Sequence, residues 1–137
     1  MAGEVIRVCP PRVFDFSNIE AGGAQHITVA ERIDVSQYAR ADLMVRVHEA
    51  QLTGTVVITV QLVSDGYTTD DPAKTFFSQP LGAGIVFDAT DAVPPGTFEL
   101  ETLTGGLGSL MAVQVKVAQG AGDAMVRLSI DLALKTT

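Results

Sequence analysis

The sequence predicts an all-β fold: a single antiparallel β-sandwich, jelly-roll-like, with an extended N-terminal arm. Three observations predict it. Apolar residues recur with period two through four long segments, the signature of strands with one dry and one wet face. The segments are separated by Gly- and Pro-rich turns, and no stretch of ten residues or more carries a helical period. At 137 residues and 14.4 kDa, the chain has room for one such domain and buries about two thirds of its unfolded surface.

In chain order, residues 1–24 read as an N-terminal arm or edge strand, and residues 25–137 as the sandwich. Glu4–Val8 is a short strand candidate. Cys9-Pro10-Pro11 cannot continue a central strand, because proline donates no ladder hydrogen bond. Arg12–Ser17 is short and aromatic, and Glu20-Ala21-Gly22-Gly23-Ala24 reads as a joint. Val13, Phe14 and Phe16 therefore either pack on the sandwich from an edge strand or dock on a neighbouring subunit, as strand-adding arms do. Gln25–Val29 follows, then one short turn within Val35–Asp42.

The first long strand is Asp42–Ala50, with Leu43, Val45 and Val47 on one face and Met44, Arg46 and His48 on the other. Leu52-Thr53-Gly54 reads as a tight hairpin into Thr55–Ser64, where Val56, Ile58, Val60 and Leu62 face the core. Lys74–Ser78 and Gly84–Asp88 are shorter candidates. Pro94-Pro95-Gly96 turns the chain into Thr97–Thr102, where hydropathy points Phe98 and Leu100 inward and Glu99 and Glu101 outward. Thr104–Gly108 is a wide turn. Ser109–Gln119 and Ala124–Leu134 close the list, joined across Gly120-Ala121-Gly122-Asp123 by a second expected hairpin. Eight or nine strands, with no Cys–Trp–Cys pattern, favour a jelly roll over an immunoglobulin-like sandwich.

Charge narrows the function. A formal net charge of -7 and a pI near 4.6 repel nucleic acid and anionic membranes, and no run of Lys and Arg offsets this. Neither partner is expected. Cys9 is the one cysteine, so no internal disulfide forms, and its neighbours offer no base to activate a thiolate. The N-terminus lacks a basic region followed by an apolar stretch, and no apolar run reaches the ~20 residues of a membrane span. The expectation is synthesis in a host cytoplasm without a signal peptide or transmembrane segment.

No catalytic group is expected, and no enzyme. His26 and His48 both fall on wet strand faces, and no serine stands in a nucleophile elbow. Glu99 and Glu101 share a strand face like a glycosidase pair but read as solvent-facing charges. No cofactor and no metal are called for. Asp65, Asp70 and Asp71 come nearest to a calcium loop, without matching the EF-hand pattern. Tyr67 is the one aromatic placed to serve as a sugar platform. It carries the alternative reading, a carbohydrate-binding sandwich assisted by calcium.

One resemblance adds to this. Arg32-Ile33-Asp34-Val35-Ser36-Gln37-Tyr38, then Ala41-Asp42-Leu43-Met44-Val45-Arg46-Val47-His48, with the Thr55–Ser64 strand, resembles small bacteriophage virion β-sandwich proteins of the capsid decoration (cement) type. The resemblance implies a non-enzymatic virion structural protein that stabilises the shell through subunit contacts. It also implies capsid or other virion proteins as partners, and a homo-oligomer with a trimer favoured.

Overall fold

The computed structural model describes residues 3–19, 25–66, 77–89, 93–118 and 122–136. Among them are eight strands and no helix: β1 (Gly3–Ile19), β2 (Gln25–Asp34), β3 (Arg40–Leu52), β4 (Val57–Gly66), β5 (Phe77–Asp88), β6 (Phe98–Thr104), β7 (Leu110–Ala118) and β8 (Gly122–Lys135). They form two four-stranded antiparallel sheets, ordered β1-β8-β3-β6 and β2-β7-β4-β5.

The order has a simple logic. First pairs with last, second with seventh, third with sixth and fourth with fifth, so the chain is one long folded hairpin wrapped around a core. That is a jelly roll. Its dry interior is the inward set of both sheets: Leu43, Val45 and Val47 from β3, Ile58, Val60 and Leu62 from β4, Val113, Val115 and Val117 from β7, and Leu128, Ile130 and Leu132 from β8, all fully buried. Each is the inward half of an alternation the sequence displays.

Three expectations are corrected. The turns at Leu52–Gly54 and Gly120–Asp123 were expected to join paired strands, but β3 and β8 lie in one sheet while β4 and β7 lie in the other. Those connections bridge the two layers instead. Thr53 and Asp123 meet, with the Thr53 amide donating to the Asp123 carbonyl at 3.0 Å and the Asp123 amide to Thr53 Oγ1 at 2.9 Å. A turn's sequence fixes that the chain reverses, not whether the two arms share a ladder.

The second concerns residues 1–24, where the edge-strand reading holds for Gly3–Ile19 and the docking reading of Phe14 and Phe16 does not. β1 runs 17 residues as an outer strand of the first sheet, paired with β8 from Gly3 opposite Lys135 to Ile19 opposite Gly122. Cys9-Pro10-Pro11 is absorbed as register shifts between Arg7 and Cys9 and between Cys9 and Arg12, the irregularity that edge strands tolerate. Phe14 and Phe16 are 1% and 2% exposed, so they belong to the core and cannot dock on a neighbour. They sit opposite Val126 and Ala124 and share their inward face, which is why the aromatic pair turns in.

The third is the phase of β6. Leu100 lies opposite Met44 and Phe98 opposite Arg46, both on the outer face, while Glu101 lies opposite Leu43 on the inner side. Phe98 and Leu100 are therefore 47% and 53% exposed. Loop hydrogen bonds hold this register at both ends of β6. The Val47 amide donates to the Thr97 carbonyl, the Gly96 amide to the Val47 carbonyl, and the Gly105 amide to the Ala39 carbonyl.

Candidate interaction surface

The inverted phase of β6 makes the outer face of the β1-β8-β3-β6 sheet the most distinctive surface of the molecule. Among the described residues, four of the five exposed large apolar side chains project from it: Val5 (70%), Val13 (53%), Phe98 and Leu100; the fifth, Val86, lies on β5 of the other sheet. They stand on the two edge strands of that sheet, Val5 and Val13 on β1 and Phe98 and Leu100 on β6.

Register lays these residues out in rows across the sheet. Val5, Ala133, Asp42 and Thr102 form one row, and Arg7, Asp131, Met44 and Leu100 the next. Ser129, Arg46 and Phe98 form a third, and Val13, Arg127 and Glu49 a fourth. Two of the arginines are engaged by neighbours. Arg7 Nε meets Asp131 Oδ1 at 2.6 Å, and the Arg46 guanidinium lies 5.3 Å from the Phe98 ring centroid. A guanidinium at that distance is attracted to the negative face of the ring.

Asp42 anchors one end of the face. It is 5% exposed, accepts from Thr102 Oγ1 at 2.7 Å and Arg40 Nε at 3.1 Å, and pairs with Lys135 Nζ at 3.2 Å. Burial alone would raise its pKa, but the hydrogen bonds from Thr102, Arg40 and Lys135 outweigh it and hold the carboxyl below the usual carboxylate range. The cluster bonds β3, β6 and β8 to one another.

His48 departs from the expectation of an unremarkable exposed ring. It is half-buried at a register shift between Val47 and Glu49, with Nε2 3.1 Å from Ser129 Oγ. His26 is exposed at the start of β2, opposite Lys116. Glu101, expected outside, turns its carboxylate across the corner between the sheets, and Oε2 accepts the Gly84 amide at 2.9 Å. Gly84 must be glycine there. Its φ is +85°, and a Cβ would stand 2.7 Å from Thr59 Cγ2. No sequence signal distinguished this clip from two solvated glutamates.

Of the residues singled out from sequence, Val13 is on the exposed face, and Phe14 and Phe16 are in the core. Tyr67, Asp70 and Asp71 lie outside the described residues. Asp65 falls within β4, opposite Ser78, rather than in a loop. Among the described residues, no three His, Cys, Asp or Glu side chains gather as a metal would need. No described helix is long and apolar enough to cross a membrane.

No family model matches the sequence, and no curated protein matches it. Solved structures do. Over 97% of its length, the chain is similar to part of a chain in the structure of infectious bursal disease virus, Gt strain, with a TM-score of 0.55 and 13% identity. The Gx strain gives a TM-score of 0.54 and 15% identity over the same share. What is shared is the fold. The match spans 32% of each viral chain, so this chain corresponds to about a third of their length. The enzymatically active domain of tailspike protein 4 from bacteriophage CBA120 superposes at a TM-score of 0.39 with 12% identity, covering 93% of this chain and 19% of that one, too loosely to carry an argument.

Proposed function

We propose that this chain is a structural protein of a virus particle that works through its surfaces, and that it decorates a capsid shell. The supporting observation is that the jelly roll, over nearly the whole chain, has the fold of a segment of a virus-particle protein. The outer sheet face adds to this, with exposed apolar side chains set among fixed charges, as an assembly surface needs. Stabilising a shell requires neither nucleophile nor cofactor. It requires burying area across subunit joints, on the order of 1,200–2,000 Å² for a specific contact.

Purified particles made by the genome that encodes the chain provide the test. After washing at high salt, quantitative mass spectrometry should find the chain in a fixed ratio to the shell protein. A chain recovered only in the particle-free fraction contradicts the reading.

A further inference from the structure

We infer that the outer face of the β1-β8-β3-β6 sheet pairs with the same face of a second copy of this chain about a two-fold axis. Val5 is level with Ala133 and Val13 with Arg127, six residues apart along β8, so the two valines stand ~20 Å apart along the strands. Their midpoint falls between the Asp131 and Ser129 levels. On the opposite edge of the sheet, Leu100 is level with Met44 and so with Asp131, and Phe98 is level with Arg46 and so with Ser129. Their midpoint is the same.

A two-fold axis lying in the face, perpendicular to the strands at that level, therefore sets Val5 of one copy over Val13 of the other. It also sets Leu100 over Phe98. All four exposed apolar side chains of this sheet find apolar partners in one operation. Such an isologous contact needs a self-complementary patch, and this one is self-complementary by register.

Charge agrees. The Arg40–Asp42–Lys135 cluster, net positive by one, lies at one end of the face. At the other lie Asp15, level with Met125, and Asp123, together with the opposite charges Glu49 and Arg127 on one level, which leaves that end net negative. The same rotation brings the positive end of each copy over the acidic end of its partner; it sets Glu49 over Asp42, with Arg127 beside Glu49 to offset the like charges, whereas an axis along the strands would stack the two positive ends on each other. Area agrees as well. Four strands ~4.8 Å apart and about ten residues long present a face of ~600 Å². Projecting side chains bring that close to the ~800 Å² per partner of a standard interface.

This pairing rests on the assembly reading above only in taking the chain as one that works through its surfaces. It names two copies, where the resemblance implied three. The test is light scattering on the purified full chain, with Leu100→Arg on the β6 edge of the face, close to the level of the axis, and Val86→Arg on the opposite sheet as the control. The wild type and Val86→Arg should give twice the 14.4 kDa chain mass, and Leu100→Arg should weaken association about tenfold or more without altering the circular dichroism spectrum. A monomer or trimer in the wild type overturns the pairing, as does a dimer that Leu100→Arg leaves intact. A wild-type monomer still found on washed particles would sink the pairing and leave the virion role standing.

Discussion

β1 and β6 are the two edges of one sheet, and they carry nearly the same pattern: Phe14-Asp15-Phe16 in one, Phe98-Glu99-Leu100-Glu101 in the other. In β1 the aromatic residues turn into the core. In β6 the apolar residues turn out, and Glu101 turns toward the inside. The difference lies in what each strand is registered against. Phe14 is levelled with Val126 on the inner face of β8, while Phe98 is levelled with Arg46 on the outer face of β3. A one-residue slip would exchange the faces of either strand. At an edge, then, alternation tells that a strand exists, and its neighbours decide which way it faces.

The comparison can be broken by truncating one ring from each edge. Phe14→Ala should cost about 3–5 kcal/mol, the usual range for emptying a phenylalanine site in a packed core. Phe98→Ala should change stability by less than about 1 kcal/mol, since its ring is half in solvent and rests on one guanidinium. Urea unfolding of both variants reads the gap. Equal losses would mean that β6 has the phase hydropathy assigns it.

The β6 register is sharpened by the residues that hold it. Gly84→Ala should cost about 2–3 kcal/mol, because it forces a side chain into the left-handed region and against Thr59. Glu101→Ala should cost less, about 1–2 kcal/mol, by leaving the Gly84 amide without its acceptor. If Glu101 pointed to solvent, its removal would be silent.

Asp42→Asn tests the bond between β6 and its neighbours, at about 1–2 kcal/mol near neutral pH. Because the folded carboxyl is held below its ordinary range, its stabilisation is fully present above pH ~4 and is lost as pH falls through the lowered value. The stability gap between wild type and Asp42→Asn should therefore close in acid. A gap independent of pH would remove Asp42 from that role.

Much of the fold was legible in the sequence, and the particular misses have physical causes. The alternations in β3, β4, β7 and β8 gave the core directly, because strands buried on one face by many partners leave no freedom of phase. The hairpin-like turns at Thr53 and Gly122 misled, since a short reversal serves a layer crossing as well as a ladder. Val13 was picked out as part of a docking arm and lies on the exposed face. Its partners in that face, Val5, Phe98 and Leu100, were invisible until register placed them in common rows. A surface assembled from four strands has no local sequence signature.

A pair of cysteines reads out whether this register-built face meets itself. Val5→Cys and Val13→Cys stand too far apart to join within one chain, but the two-fold sets each over the other in the partner. Under mild oxidation, the double variant should form a disulfide-linked dimer on a non-reducing gel, and neither single variant should. Efficient dimers from Val5→Cys alone, or none from the double variant, would contradict the account.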